Sequence, residues 1–315
     1  MSLASLAAPA AALAALGTLL GYAARYAWIC DLAGHFRAQY CLVLSIAAPI
    51  FWLEGWAIAG NVAAALAALN AAHILPLYVP GASAPPIGPS FRVLICNVSW
   101  RNRRHGPLLA LISRAQPDLI LLMETTPEWA RSLEALDAAY PYAERAIMEQ
   151  GSGIVLLSRT PFAQSRVVRI GHARGPSIIA SVDVGGRPVT VVGIHPHSPT
   201  TARAYRFRNE QILATADRLR ALPRPLVLMG DFNTTSWTWP FGKLLEVSGL
   251  GDSRAGRGFQ PTWPLPFWRP FRIPIDHCLV SPEVVVLRRE VGPPIGSDHA
   301  PVILECGLSP VRNTP

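Results

Sequence analysis

Three successive apolar runs at the N-terminus constrain this chain more than any other feature. Residues 1–24, about 41–60 and about 61–79 each approach the ~20 residues that cross the hydrocarbon of a bilayer. Soluble helices need a polar face, and these runs have none. No basic residue precedes Arg25, which argues against a cleaved signal peptide. Residues 1–90 carry only Arg25, Arg37, Asp31 and Glu54 as charges, so the net charge of +8 belongs entirely to residues 91–315. This divide excludes a uniform soluble domain. It also excludes a polytopic transporter, because no run after residue 90 is long and uncharged enough to span. The sequence predicts a three-helix anchor at 1–79, a Pro/Gly-rich linker at 80–90, a soluble domain at 91–307 and a tail at 308–315. The anchor and linker are expected to hold the chain at the bilayer, not to form part of a catalytic machine. A carboxylate at the bilayer centre costs ~2.5–3.5 kcal/mol, so Glu54, between Trp52 and Trp56, is expected near an interface. Arg25 and Arg37 flank the same loop and are offset by Asp31, which leaves the membrane side undetermined.

From Phe91 the texture changes to short apolar runs bounded by turn residues. Runs at 91–98, 117–125, 153–158, 177–184, 188–195, 225–231, 274–281 and 300–305 read as buried or half-buried strands. Gly185 and Gly186 mark a hairpin, and helical patterns fit 107–115, 127–139 and about 199–221. Hairpins mixed with helical crossovers predict an α+β or mixed-sheet α/β domain. Five scattered cysteines without a CxxC exclude a disulfide framework.

Groups able to bind metal or move protons recur at the C-terminal ends of these runs. Asn97, Glu124 and His195 each end one; Asp231 with Asn233, Asp276 with His277, and Asp298 with His299 come just after others. Taken singly, Glu124 reads as a helix-entry acid, Asp231 as an Asx turn and His299 as a satisfied core histidine. Together they read as a cleft built on strand ends, where a rigid scaffold delivers side chains while the backbone stays paired. Oxygen-rich donors without thiolates or clustered histidines suit Mg²⁺ or Mn²⁺ rather than zinc.

The ordered set ICNV with Asn97, PDLILLMETTPEW with Glu124, GSGIVLLSR (151–159), GIHPHSP with His195, GDFN (230–233), PIDHCLVS with Asp276, and GSDHAPV with Asp298 and His299 resembles the endonuclease/exonuclease/phosphatase superfamily. The resemblance covers about 91–307. The apolar runs, with GHFRAQY between the first two, resemble a membrane-anchored bacterial branch, which implies a multi-pass protein of the inner membrane. For the fold it implies α/β architecture: two packed mixed β-sheets flanked by helices, in four layers. For the site it implies Glu124 as principal metal ligand with Asn97 beside it, and Asp298 completing a second metal position or organising the first. Asp231 would orient or deprotonate the attacking water, and Asn233 would donate to the phosphate. His299 would contact the scissile phosphate, Asp276 would fix its tautomer, and His195 would lie near the leaving or a phosphoryl oxygen.

Two segments are expected to set substrate choice: 234–243 with Trp237 and Trp239, and 262–274 with Phe267, Trp268, Arg269, Phe271 and Arg272. Such mixtures stack bases or dip into a membrane interface with lipid headgroups. The expectation is a phosphoesterase acting on nucleic acid or lipid headgroups, in contact with the bilayer and without an obligate protein partner. The competing class is a catalytically silent, membrane-anchored binding protein that reuses the fold.

Overall fold

The computed structural model describes residues 2–80, 88–171, 173 and 175–310. Most of the expected linker (81–87) and the end of the tail (311–315) lie outside the described residues.

Helices α1 (Leu3–Tyr22), α3 (Arg37–Leu53) and α4 (Ala57–Ile74) pack as an N-terminal bundle. Its core is mostly alanine, with Leu44, Phe51 and Leu66 as the larger members. Small residues let apolar helices approach closely without a hydrophobic driving force between them. α1 and the helical stretch Ala57–Tyr78 are each long and apolar enough to cross a membrane. α3 reaches that length only together with α2 (Trp28–Gly34), from which it is bent by 63°. The second apolar run therefore does not continue to Gly60 as one helix. It breaks at Glu54–Trp56, where Gly55 takes φ +80°, and Glu54 accepts a hydrogen bond from the Leu3 N–H at 2.8 Å. α2 packs on α1 through two glycines: a Cβ on Gly21 would come within 3.1 Å of Gly34 Cα.

The soluble part is a sandwich of two six-stranded sheets. The first orders β11 (Val284–Val291), β12 (Val302–Leu308), β1 (Ser90–Asn97), β2 (Leu119–Met123), β4 (Ile154–Ser158) and β3 (Tyr142–Ala146). The second orders β5 (Phe162–Val168), β6 (Ser177–Val184), β7 (Arg187–Ile194), β8 (Leu226–Asp231), β10 (Asp276–Val280) and β9 (Gly251–Asp252). Among the described residues only β1/β2 and β7/β8 are parallel pairs. Along β1, Val93 and Ile95 face the other sheet while Leu94 and Cys96 face helices. Burial on both faces explains why the central strands read as continuous apolar runs rather than alternations. α5 (Gly106–Ala115) and α6 (Pro127–Leu133) cover the first sheet; α7 (Ala202–Arg220) and α8 (Trp239–Ser248) cover the second. The result is the four-layer mixed α/β architecture expected.

Differences lie at the margins. The helix expected over 127–139 ends at Leu133 and continues only as a 3₁₀ turn to Leu136. β3, β5 and β11 are not anticipated by the sequence pattern: all three are edge strands, β3 and β5 exposed or half-buried and partly polar, and β11 turning from an apolar start at Val284 to the charged Arg288, Arg289 and Glu290. Trp239 to Lys243, read as loop, opens α8 with Pro240 in the first turn, where its missing N–H costs nothing.

Candidate active site

Both parallel strand pairs end at one side of the sandwich, and their last residues meet there. β1 ends on Asn97, and Glu124 comes directly after β2; β7 leads into His195, and β8 ends on Asp231. β10 runs antiparallel to β8 with Asp276 opposite Asp231, so the pairing register itself juxtaposes the two residues. The loop before β12 adds Asp298 and His299. At Gly230, φ is +149° and a Cβ would sit 1.9 Å from the Ile194 carbonyl oxygen, so only glycine lets β8 run this close to β7 beside the site. Glu124 takes φ +61°, a conformation that non-glycine residues hold chiefly where surrounding structure enforces it.

One amide ties the two sheets together. Asn97 Nδ2 donates to Glu124 Oε1 at 2.9 Å and to Asp231 Oδ2 at 3.1 Å. The Trp100 N–H donates to Glu124 Oε2 at 3.0 Å. Asn233 donates its backbone N–H to Asp231 Oδ1 at 2.8 Å and its Nδ2 to the Pro196 carbonyl at 3.0 Å.

Asp231 Oδ2 lies 3.6 Å from both His195 Nε2 and His299 Nε2. Burial would raise the Asp231 pKa, but the His299 and His195 rings and the Asn233 N–H outweigh it and hold the carboxyl down at about 2. His299 Nδ1 is 2.9 Å from Asp276 Oδ2. Burial disfavours the charged ring, yet Asp276 and Asp231 overcome it and raise His299 to about 10. The same balance, burial against Asp231 and Glu124, raises His195. Burial raises the Asp276 carboxyl against the pull of His299. The arrangement is an anionic Asp231 between two imidazoles, one of them held cationic by Asp276.

A cavity of about 590 Å³ opens over these groups, lined by Glu124, His195, Asp231, Asn233, Asp298 and His299 among others. Asn97 and Asp276 lie behind its wall, each bonded to a residue that lines it. Two corners can take a divalent cation. Ligand atoms of Asp231, Asp276 and His299 lie within 4.8 Å of one another, and Asp276 Oδ1 is buried without a partner among the described residues. In that corner His299 Nδ1 is engaged with Asp276, which leaves Nε2 as its free ligand atom. Around Glu124 the cavity lining supplies the oxygens of the Glu124 and Asp298 carboxylates, a donor chemistry that fits Mg²⁺ or Mn²⁺; Asn97 turns its Nδ2 towards Glu124, and His195 Nε2 lies 4.0 Å from Glu124 Oε1. Asp298 Oδ2 also accepts from Trp263 Nε1 at 3.1 Å.

The aromatic and arginine residues expected to bind substrate lie elsewhere. Trp237 is buried, stacks on Phe259 and donates Nε1 to the Gly34 carbonyl at 2.9 Å. Trp239 stacks under Arg25, and Trp268, Arg269 and Arg272 form an outer loop; none of them lines the cavity. The 262–274 segment does reach the cavity through Trp263 and Ile273, which with Ile275 and with Trp28, Leu32 and Phe36 of the N-terminal helices make its apolar wall. The sequence carries a signal for the last three, an i, i+4, i+8 spacing on one helical face. Its shortness beside two long apolar runs hid it.

The profile of the Endonuclease/Exonuclease/phosphatase family matches residues 94–299. No curated protein matches. Among solved structures, an endonuclease/exonuclease/phosphatase from Beutenbergia cavernae is 22% identical with a TM-score of 0.55, over 70% of this chain and 72% of that one. D. rerio TDP2 complexed with single strand DNA product is 17% identical with a TM-score of 0.58, over 69% and 99%. Sphingomyelinase C from Streptomyces griseocarneus is 19% identical with a TM-score of 0.50, over 69% and 99%.

Proposed function

The chain belongs to the endonuclease/exonuclease/phosphatase family, and from that premise we propose that it is a membrane-anchored, divalent-metal-dependent phosphoesterase. One observation carries the reading: Asp231 sits 3.6 Å from two imidazoles on one side and shares the Asn97 amide with Glu124 on the other. Hydrolysis of a phosphate ester needs a base or orienting group for water, positive charge on the phosphoryl oxygens and a proton for the departing oxygen. Glu124, Asn97 and Asp298 would hold Mg²⁺ or Mn²⁺, which supplies Lewis-acid charge when bound. Asp231, anionic and aimed into the cavity, orients water and accepts its proton as the water oxygen joins phosphorus. His299, kept charged by Asp276, faces the phosphoryl oxygens with Nε2. Protonated His195 is placed to give its proton to the oxygen that leaves as the P–O bond breaks. Asn233 Nδ2 turns from the Pro196 carbonyl to a phosphoryl oxygen.

Family membership supports phosphate-ester hydrolysis in general. The neighbours named for a DNA product and for sphingomyelin mark nucleic acid and lipid as the two candidate substrate types. The test is hydrolysis of bis(p-nitrophenyl) phosphate and p-nitrophenyl phosphate by the full chain in detergent with Mg²⁺ or Mn²⁺. Activity abolished by EDTA and by His299→Ala, in protein that still melts cooperatively, is the expected result. A chain inert with both metals would instead match a binding protein that reuses the fold.

A further inference from the structure

The anchor does more than end where the soluble domain begins. α2 and the turn after it are stitched to the catalytic side. Trp28 Nε1 donates to the Pro199 carbonyl at 2.6 Å, Tyr205 Oη to the Ala24 carbonyl at 2.7 Å and Trp237 Nε1 to the Gly34 carbonyl at 2.9 Å. Asp31 on α2 and Arg208 on α7 form an ion pair at 2.8 Å with both side chains fully buried. Arg208 also donates to the carbonyl oxygen of Asn233, inside the GDFN turn. So docked, α2 presents Trp28 and Leu32, and the turn after it Phe36, to the cavity that holds Asp231 and His299, with Ile273 and Ile275 completing the apolar lining.

Charge narrows the occupant. Among the described residues lining the cavity there is no Arg or Lys. A polynucleotide brings flanking phosphates, whose binding rests on basic side chains along the groove. A substrate with one phosphate and a large apolar remainder has no such need. Position narrows it further. α2 joins the end of α1 to the start of α3, so this wall stands at the end of the bundle that faces the catalytic domain. Tyr26, Phe267, Trp268 and Phe271 are 81, 60, 78 and 60% exposed. Gln39, in the first turn of α3, holds the loop of the last three through the Pro270 and Arg272 carbonyls. Exposed aromatics beside Arg25 and Arg269 at the end of spanning helices match an interfacial belt.

Resting on the phosphoesterase reading, we propose that the substrate is a bilayer lipid with a phosphodiester headgroup. Its apolar end lies against the α2 wall of Trp28, Leu32 and Phe36 while its phosphate reaches Asp231 and His299. The wall belongs to the anchor, so selection of the lipid and attachment to the bilayer fall to one segment.

The experiment uses the full chain in detergent with Mn²⁺ and three probes. These are vesicles of phosphatidylglycerol, phosphatidylethanolamine and sphingomyelin, bis(p-nitrophenyl) phosphate, and a single-stranded oligonucleotide. The expected result is headgroup release from at least one vesicle lipid. Leu32→Gln and Phe36→Ala should each lower the vesicle-to-soluble ratio of kcat/KM by roughly tenfold or more, as loss of apolar pocket contacts does. Leu32→Met, which conserves volume and apolarity, should keep the ratio, so a general folding defect is told apart. An unchanged ratio in both loss variants overturns the proposal, as does an oligonucleotide cleaved faster than every lipid. A chain that turns over bis(p-nitrophenyl) phosphate but no lipid overturns this inference alone. A chain inert on all three probes overturns the phosphoesterase reading and this one with it.

Discussion

The two sheets of the sandwich are built from similar apolar strands but carry charge very differently. The first is apolar beneath its helices: Leu94, Ile120, Leu122 and Val155 meet Trp129 and Leu133, with Arg289 on the edge strand β11 as a buried charge and Asn97 and Glu124 at the strand ends. The second has Asp231, Asp276 and His277 buried within its strands, with Arg208 and Arg254 buried close by. An ionised group out of water survives only with partners. The first sheet is thus a rigid platform that delivers Glu124 after β2 and Asp298 before β12. The second is where proton chemistry, anchor docking and pH sensitivity concentrate. Asn97 bonds to a carboxylate of each sheet, and His195 Nε2 lies 4.0 Å from Glu124 and 3.6 Å from Asp231.

The largest expected effect falls on the second sheet. Asp231→Asn keeps the shape and removes the base and the counter-charge of two imidazoles, so kcat should drop roughly 10²–10⁴-fold. Raising Mn²⁺ to millimolar levels should restore nothing, and rescue by metal would mean that Asp231 serves the cation rather than the proton. Next comes the joint to the anchor. Asp31→Ala strands the fully buried Arg208 without its carboxylate, and breaking such a pair costs about 3–5 kcal/mol. Thermal unfolding in detergent should show it, and a midpoint within a degree of wild type would mean that α2 is not docked on α7. The first sheet offers the contrasting case. Asn97→Ala should lower apparent Mn²⁺ affinity by about 10–100-fold, the usual cost of removing a group that orients a metal ligand. Excess metal should recover most of the activity here; failure to do so would erase the division between the sheets.

That division was partly legible in the sequence. All the residues read as strand-end donors except His277, which packs against Phe241, lie at or directly behind the cavity, because a buried strand announces itself by its apolar run and its end by the first polar residue. Pairing register could not be read: that Asp276 stands opposite Asp231 depends on an antiparallel partner 45 residues away. The aromatic segments were legible only in part, for a related reason. Trp237 and Trp268 look alike in sequence, yet one is 9% and the other 78% exposed, since only the first meets α2. α2 itself was illegible as a wall, because seven residues carry too few turns to reveal a face and its partners come from residues 196–235. Long-range docking, not local propensity, decided these positions.

The smallest effect is also the one that isolates buried charge in the second sheet from the reaction. His277 lies in β10 on the helix-facing side, with Nε2 2.7 Å from the Thr234 carbonyl and Nδ1 3.2 Å from Arg254 Nη2. The carbonyl accepts from Nε2–H, so Nδ1 must accept from Arg254, and a second ring proton would point at a guanidinium. Burial first, and Arg254 second, depress the ring pKa to about 3. An unfolded histidine titrates near 6.5, so a depressed folded value gives stability that is complete above that pH. It is lost as pH falls from about 6.5 towards 3. The linkage amounts to ~2 kcal/mol between pH 8 and pH 5. Melting points measured across that window should fall in wild type and fall less in His277→Gln, whose amide titrates nowhere. Equal slopes in the two proteins would place the acid sensitivity in another group and remove His277 from the charged side of the comparison.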